Sequence, residues 1–159
     1  MFSTIMTFIN AAIIQGIPLL FGATGEIITE KSGNLNLGIP GIMYVGGISG
    51  IIGGYLYEHS TENPVPILCI LISFFSCIAG AVILSLIYSF LTISLRANQN
   101  VTGLALTTFG VGIGNFFGGS LLNFFGESGS ISLIETGKAY KTYLPIADKT
   151  GIFGQTFLS

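Results

Sequence analysis

Val65–Leu95 reads VPILCILISFFSCIAGAVILSLIYSFLTISL, thirty-one residues without a formal charge. As a helix rising 1.5 Å per residue it would run about 46 Å, past the ~30 Å hydrocarbon core of a bilayer. It is therefore expected to tilt or to project toward Arg96. A core helix of a soluble domain would show a polar stripe at helical spacing, and no consistent stripe is present. The stretch opens at Asn63-Pro-Val-Pro66, a turn signal, and closes at Arg96. Three more stretches, Met1–Gly25, Ser32–Tyr57 and Ala97–Gly126, are equally free of charge and long enough to cross.

The composition agrees. Of 159 residues, 50% are hydrophobic and 8% charged, with a mean hydropathy of +0.81; a soluble domain carries about 25% charge. The charges are confined to Glu26, Glu30 and Lys31; to Glu58 and Glu62; to Arg96; and to the last third, from Glu127 to Lys149. The fold expected is all-α, a polytopic transmembrane bundle with spans at about 4–23, 35–57, 65–95 and 101–125. A polar extracytoplasmic loop is expected over 126–151. The N-terminus lacks a basic leader and a small-residue cleavage pattern, so Met1–Phe21 reads as a retained span. Ile152–Leu158 turns apolar again, like the approach to a further span, and suggests part of a longer protein.

Several classes of function lack their residues. Net charge is −2 with no basic patch, which argues against nucleic acid. Cys69 and Cys77, at i and i+8, would stand about 12 Å apart on a helix, too far for a disulfide. No metal-ligand cluster, phosphate-binding loop or intramembrane acid pair is present, so no catalytic residue, metal or cofactor is assigned. Gly47-Ile-Ser-Gly50 is similar to the serine site of a rhomboid protease. The single histidine, His59, lies ten residues on, about 15 Å along a helix, out of reach of Ser49.

Two features point to helix packing and transport. Gly46, Gly50 and Gly54 repeat every four residues, as do Gly110, Gly114 and Gly118; each set makes one smooth helix face for a close neighbour. Gly33–Gly41 holds Gly33, Asn34, Asn36, Gly38, Pro40 and Gly41 at the mouth of a span. Gly and Pro cost about 1 and 3 kcal/mol in helix interiors, so a break is expected. Broken backbone at membrane depth survives only against protein or a watery cavity, which makes Asn34, Asn36, Gly38 and Gly41 candidates for a substrate path. The spans' amides and hydroxyls would suit a neutral, hydroxyl-rich solute.

Gly25-Glu-Ile-Ile-Thr-Glu-Lys-Ser-Gly-Asn-Leu-Asn-Leu-Gly-Ile-Pro-Gly-Ile-Met43 resembles the signature of ABC importer permeases for nucleosides and simple sugars. It matches at Gly25, Glu26, Glu30, Gly33, Asn36, Leu37, Gly38, Gly41 and Met43. Leu95-Arg-Ala-Asn-Gln-Asn-Val-Thr-Gly-Leu-Ala-Leu106, with Arg96, Asn98 and Gln99, resembles a second family motif. Pro40 stands where many members have Glu. The resemblance covers the first half of such a permease. It implies alternating access, an ATP-binding partner, a second permease subunit and an extracellular solute-binding protein. It also implies a multi-pass place in a bacterial-type plasma membrane with the Arg96 loop cytoplasmic; the distribution of Lys and Arg does not fix the orientation by itself. Branched-chain amino acids as cargo, and a small structural or assembly protein without transport, are the alternative readings. Neighbouring genes for an ATPase and a solute-binding lipoprotein would separate the last of these from an importer.

Overall fold

The structure, a computed structural model, describes residues 2–124 and 133–140, with side chains over 4–118 and 133–140. All regular structure among them is helical: α1 (Phe2–Lys31), α2 (Ile39–Ser60), α3 (Pro66–Ser89), α4 (Gln99–Phe124) and the short α5 (Ile134–Tyr140). A π-helical turn, Phe90–Ser94, extends α3. Four segments are long and apolar enough to cross a membrane: Thr4–Lys31, Ile39–Ser60, Pro66–Ser94 and Gln99–Gly118.

α2 is the centre of the bundle, and its glycines decide what packs against it. On one face a methyl added at Gly46 would lie 3.3 Å from the Cys77 carbonyl and one at Gly50 3.2 Å from that of Ser73, so α3 runs against this face almost backbone to backbone. On the other face a methyl at Gly41 would lie 2.7 Å from the Leu106 carbonyl oxygen. One at Gly110 would lie 2.6 Å from that of Gly41. Gly114 receives the Tyr44 ring, whose hydroxyl donates to Asn115 Oδ1 (3.0 Å). Both glycine series thus pack helices, although Gly118 is exposed and the α4 contact fades there. Leu84, Tyr88 and Leu106 form the buried apolar cluster, with Ile42 and Val45 against it. Among the described residues this core is small. Most large apolar side chains instead face outward: Phe8, Leu19 and Phe21 on α1, and Ile67 and Ile83 on α3, are each at least 60% exposed. This is the surface a bilayer covers.

The helix bounds revise several expectations. α1 does not stop near residue 23 but continues through Thr24–Lys31, because Glu, Ile and Lys are tolerable helix formers and charge alone ends nothing. The break is correspondingly narrower, and α2 begins at Ile39 rather than 35. Pro40 and Gly41 lie in its first turn, where proline's missing N–H leaves no gap in the ladder. The third span is not one uniform helix to Leu95 but ends in the π turn. The fourth starts at Gln99, and residue 125 lies outside the described residues, as do 126–132 and 141–151 of the expected loop. Within that loop, Ile134–Tyr140 is helical and packs on α3 and α2.

Candidate functional site

The junction between α1 and α2 is a built structure. Gly33, at φ +86°, ends α1 in the left-handed conformation that glycine adopts without penalty. Its N–H donates to Glu30 O (2.9 Å) and that of Asn34 to Thr29 O (3.2 Å), the paired bonds of a Schellman cap. Beyond it only some of the chain's polar groups are met locally, and the others are met from other helices.

The contacts from other helices join residues remote in sequence. The Gln99 side-chain amide, at the start of α4, accepts from the Leu35 N–H (2.9 Å) and donates to Asn34 Oδ1 (2.8 Å). Glu26 Oε1, from the last turns of α1, accepts from the Asn36 N–H (3.0 Å). Tyr88 on α3 donates its hydroxyl to Leu35 O (2.7 Å), and Thr107 on α4 donates to Leu37 O (2.7 Å). Asn36 is buried; its Oδ1 accepts from the Gly38 N–H (2.9 Å), an Asx turn that leads into α2. A methyl at Gly103 would lie 2.9 Å from Leu37 N and 3.0 Å from Gly38 N, so α4 crosses directly over the break. Three helices therefore clamp residues 34–38. Each such bond contributes about 1 kcal/mol net, and each group left unmet in an apolar setting would cost about 1–3 kcal/mol.

The two sequence motifs meet here. Glu26, Asn34, Asn36 and Gly38 come together with Gln99 and Gly103, although the motifs are far apart in the chain. Gly41 faces the α4 backbone. Gly25 and Glu30 lie on α1 beside the break, Gly25 half-buried and Glu30 exposed. Asn98 Oδ1 accepts from the N–H groups of Asn100 (3.0 Å) and Val101 (3.2 Å), capping α4 and so fixing where Gln99 begins. Arg96 is exposed, and its φ of +52° turns the chain from the π turn into that cap. Sequence reasoning did not find Tyr88 or Thr107. Their only signal is a hydroxyl in an otherwise apolar span.

Space accompanies the clamp. A cavity of about 320 Å³ is lined by Gly22, Glu26, Glu30, Asn36, Ile39 and Pro40. Another, of about 350 Å³, touches Gly22, Gly25, Thr29, Asn36, Met43 and Ser85. Both border the seam between α1 and α2. The second carboxylate oxygen of Glu26, Oε2, is buried without a partner among the described residues. A seam with cavities, carboxylates, an asparagine and irregular backbone can offer hydrogen bonds to a neutral polar molecule. His59 accompanies none of this: at the far end of α2 it stacks on Tyr55 (centroids 3.9 Å apart), and Ser49 packs on Gly80 of α3. Cys69 and Cys77 are both free thiols.

Comparison with known proteins follows the same lines. A family described as branched-chain amino acid transport system, permease component, matches residues 8–147. The chain is 36% identical over 110 residues to TsgC13 of Haloferax volcanii, a protein named as a glucose ABC transporter permease, covering 69% of this chain and 30% of that one. It is 26% identical over 151 residues to the guanosine ABC transporter permease NupQ of Bacillus subtilis (95% and 44%). It is 27% identical over 157 residues to the nucleoside ABC transporter permease NupC of Lactococcus lactis (99% and 46%). The chain thus spans less than half the length of each of these relatives. No solved structure matches it significantly. With its four membrane-length helices and a family match over most of its length, this chain belongs to the branched-chain amino acid transport system permease family.

Proposed function

We propose that this chain forms the N-terminal part of the membrane-spanning permease of an ABC importer for nucleosides or simple sugars, working by alternating access. The clamped break carries the reading: non-helical backbone at the mouth of the spans, held by three helices with hydrogen-bonding groups and cavities beside it, suits the handling of a polar solute better than anchoring. Glu26, Asn34 and Asn36 would contact or shape the path. Gly38, Gly41, Gly103 and Gly110 would let α2 and α4 approach closely enough to carry it. Glu30 would lie at its rim. In the matching relatives, glucose, guanosine and nucleosides are the named solutes, and these share a neutral, hydroxyl-bearing sugar.

The chain itself hydrolyses nothing. A separate ATP-binding subunit would supply the energy, a second permease subunit would complete the channel, and an extracellular solute-binding protein would deliver the cargo. The location would be a bacterial-type plasma membrane with the Arg96 loop cytoplasmic. The family's description favours a second cargo, branched-chain amino acids. Uptake by cells carrying the complete transporter decides between them. Labelled nucleoside or sugar should accumulate, and an excess of unlabelled leucine should not compete. Competition by leucine, with no nucleoside or sugar uptake, would replace this reading by the amino acid one.

A further inference from the structure

The end of α2 remote from the break carries a second arrangement. α2 has 22 residues, about 33 Å of helix, so its two ends lie near opposite membrane surfaces. At its last turn, Glu58 holds the whole first turn of α5. Oε1 accepts from the N–H groups of Ile134 (2.9 Å) and Glu135 (3.0 Å); Oε2 accepts from the N–H (3.3 Å) and hydroxyl (3.0 Å) of Thr136. A seven-residue helix is not stable by itself, so its position depends on what grips it.

Little else does. Thr136 and Ala139 are buried, and the Tyr140 hydroxyl reaches Ile70 O (3.3 Å). Between α5 and the α2–α3 pair remains a groove of about 370 Å³, lined among others by Gly47, Gly50, Phe74, Cys77, Gly137 and Tyr140. A methyl added at Gly47 or at Gly137 would touch nothing within 4 Å. The short helix therefore seats Thr136 and Ala139 but leaves the groove beside Gly47 and Gly137 open, and the Glu58 carboxylate holds its first turn through four hydrogen bonds.

We propose that α5 is a strap latched by Glu58 across the α2–α3 groove, and that its release opens the groove at the membrane face opposite the break. What the strap gates rests on the transport reading, since alternating access needs a barrier at each face. That it opens does not. Cys77 lines the groove and is half-buried, whereas Cys69 is fully buried, which supplies a native reporter and a native control. The rate of N-ethylmaleimide reaction at each thiol is measured in membrane vesicles holding the complete transporter. Glu58→Ala should speed reaction at Cys77 by roughly tenfold, the effect of losing hydrogen bonds to one charged group. Thr136→Val, which removes one of the four bonds and little else, should speed it a few-fold. Cys69 should stay slow in both. An unchanged Cys77 rate in Glu58→Ala would overturn the proposal. So would Cys69 reacting in step with Cys77, because Glu58 would then hold the fold as a whole. Fast Cys77 reaction in vesicles whose native transporter takes up neither nucleoside nor sugar would remove the importer reading and leave the strap.

Discussion

Two glycines two residues apart on α4 allow one substitution to be tested in opposite environments. Alanine is favoured over glycine in a helix by about 1 kcal/mol. At Gly112 the added methyl meets nothing within 4 Å, so Gly112→Ala should keep that gain and stabilise the protein. At Gly110 the methyl would lie 2.6 Å from the Gly41 carbonyl oxygen and 2.8 Å from the Gly41 Cα. Ordinary contact begins near 3.4 Å, so the two backbones must part by about 0.8 Å, and no side-chain rotation can relieve it. Overpacking of this kind costs about 1–3 kcal/mol. Gly110→Ala should therefore be less stable than Gly112→Ala by about that amount. Separation would also loosen the Thr107 bond to Leu37 and with it the clamp. The assay is reversible unfolding in mixed micelles of increasing denaturing-detergent fraction, followed by helical signal. Equal midpoints for the two variants would show that α2 and α4 do not touch at Gly41, and the packing argument would fail.

Tyr88→Phe keeps the ring but leaves the Leu35 carbonyl without its donor; it should cost about 1–3 kcal/mol in the same unfolding assay and speed amide exchange over residues 32–38. No change in exchange there would mean that the hydroxyl does not hold the break. Arg96→Gly should be more stable than Arg96→Ala by about 1 kcal/mol, since only glycine adopts the left-handed turn freely; equal stability would argue against that turn. With Cys69 and Cys77 replaced by serine, a cysteine at Thr61 should react with an impermeant thiol reagent added outside intact cells, and one at Asn100 should not. The reverse pattern would invert the proposed orientation.

The spans were legible because hydrocarbon imposes a coarse rule: long runs without charge, bounded by clusters of charge. Their ends were not, because charge does not end a helix whereas a left-handed glycine does. α1 accordingly runs past Glu26 and Glu30 to the cap at Gly33. The break was legible from its glycines, proline and asparagines, but Pro40 belongs to the next helix, where position rather than propensity decides. The partners of the break were legible only where a motif marked them. Glu26 and Gln99 stood out in the sequence; Tyr88 and Thr107 did not, because a hydroxyl in an apolar span can bond its own helix just as well, as Thr108 does with Leu104. The Glu58 grip on α5 joins residues separated by two spans, and no local pattern encodes it.

The central claim is that the clamped break borders the path of a polar solute. In a transporter with Cys69 and Cys77 replaced by serine, a cysteine is placed at Asn34, which is half-buried and bonded to Gln99. It is treated with a small methanethiosulfonate, with and without nucleoside or sugar, and uptake of the labelled solute is then measured. Modification should slow uptake severely, and bound solute should protect the thiol and preserve uptake. Complete modification with normal uptake, at a rate the solute does not alter, would contradict the claim.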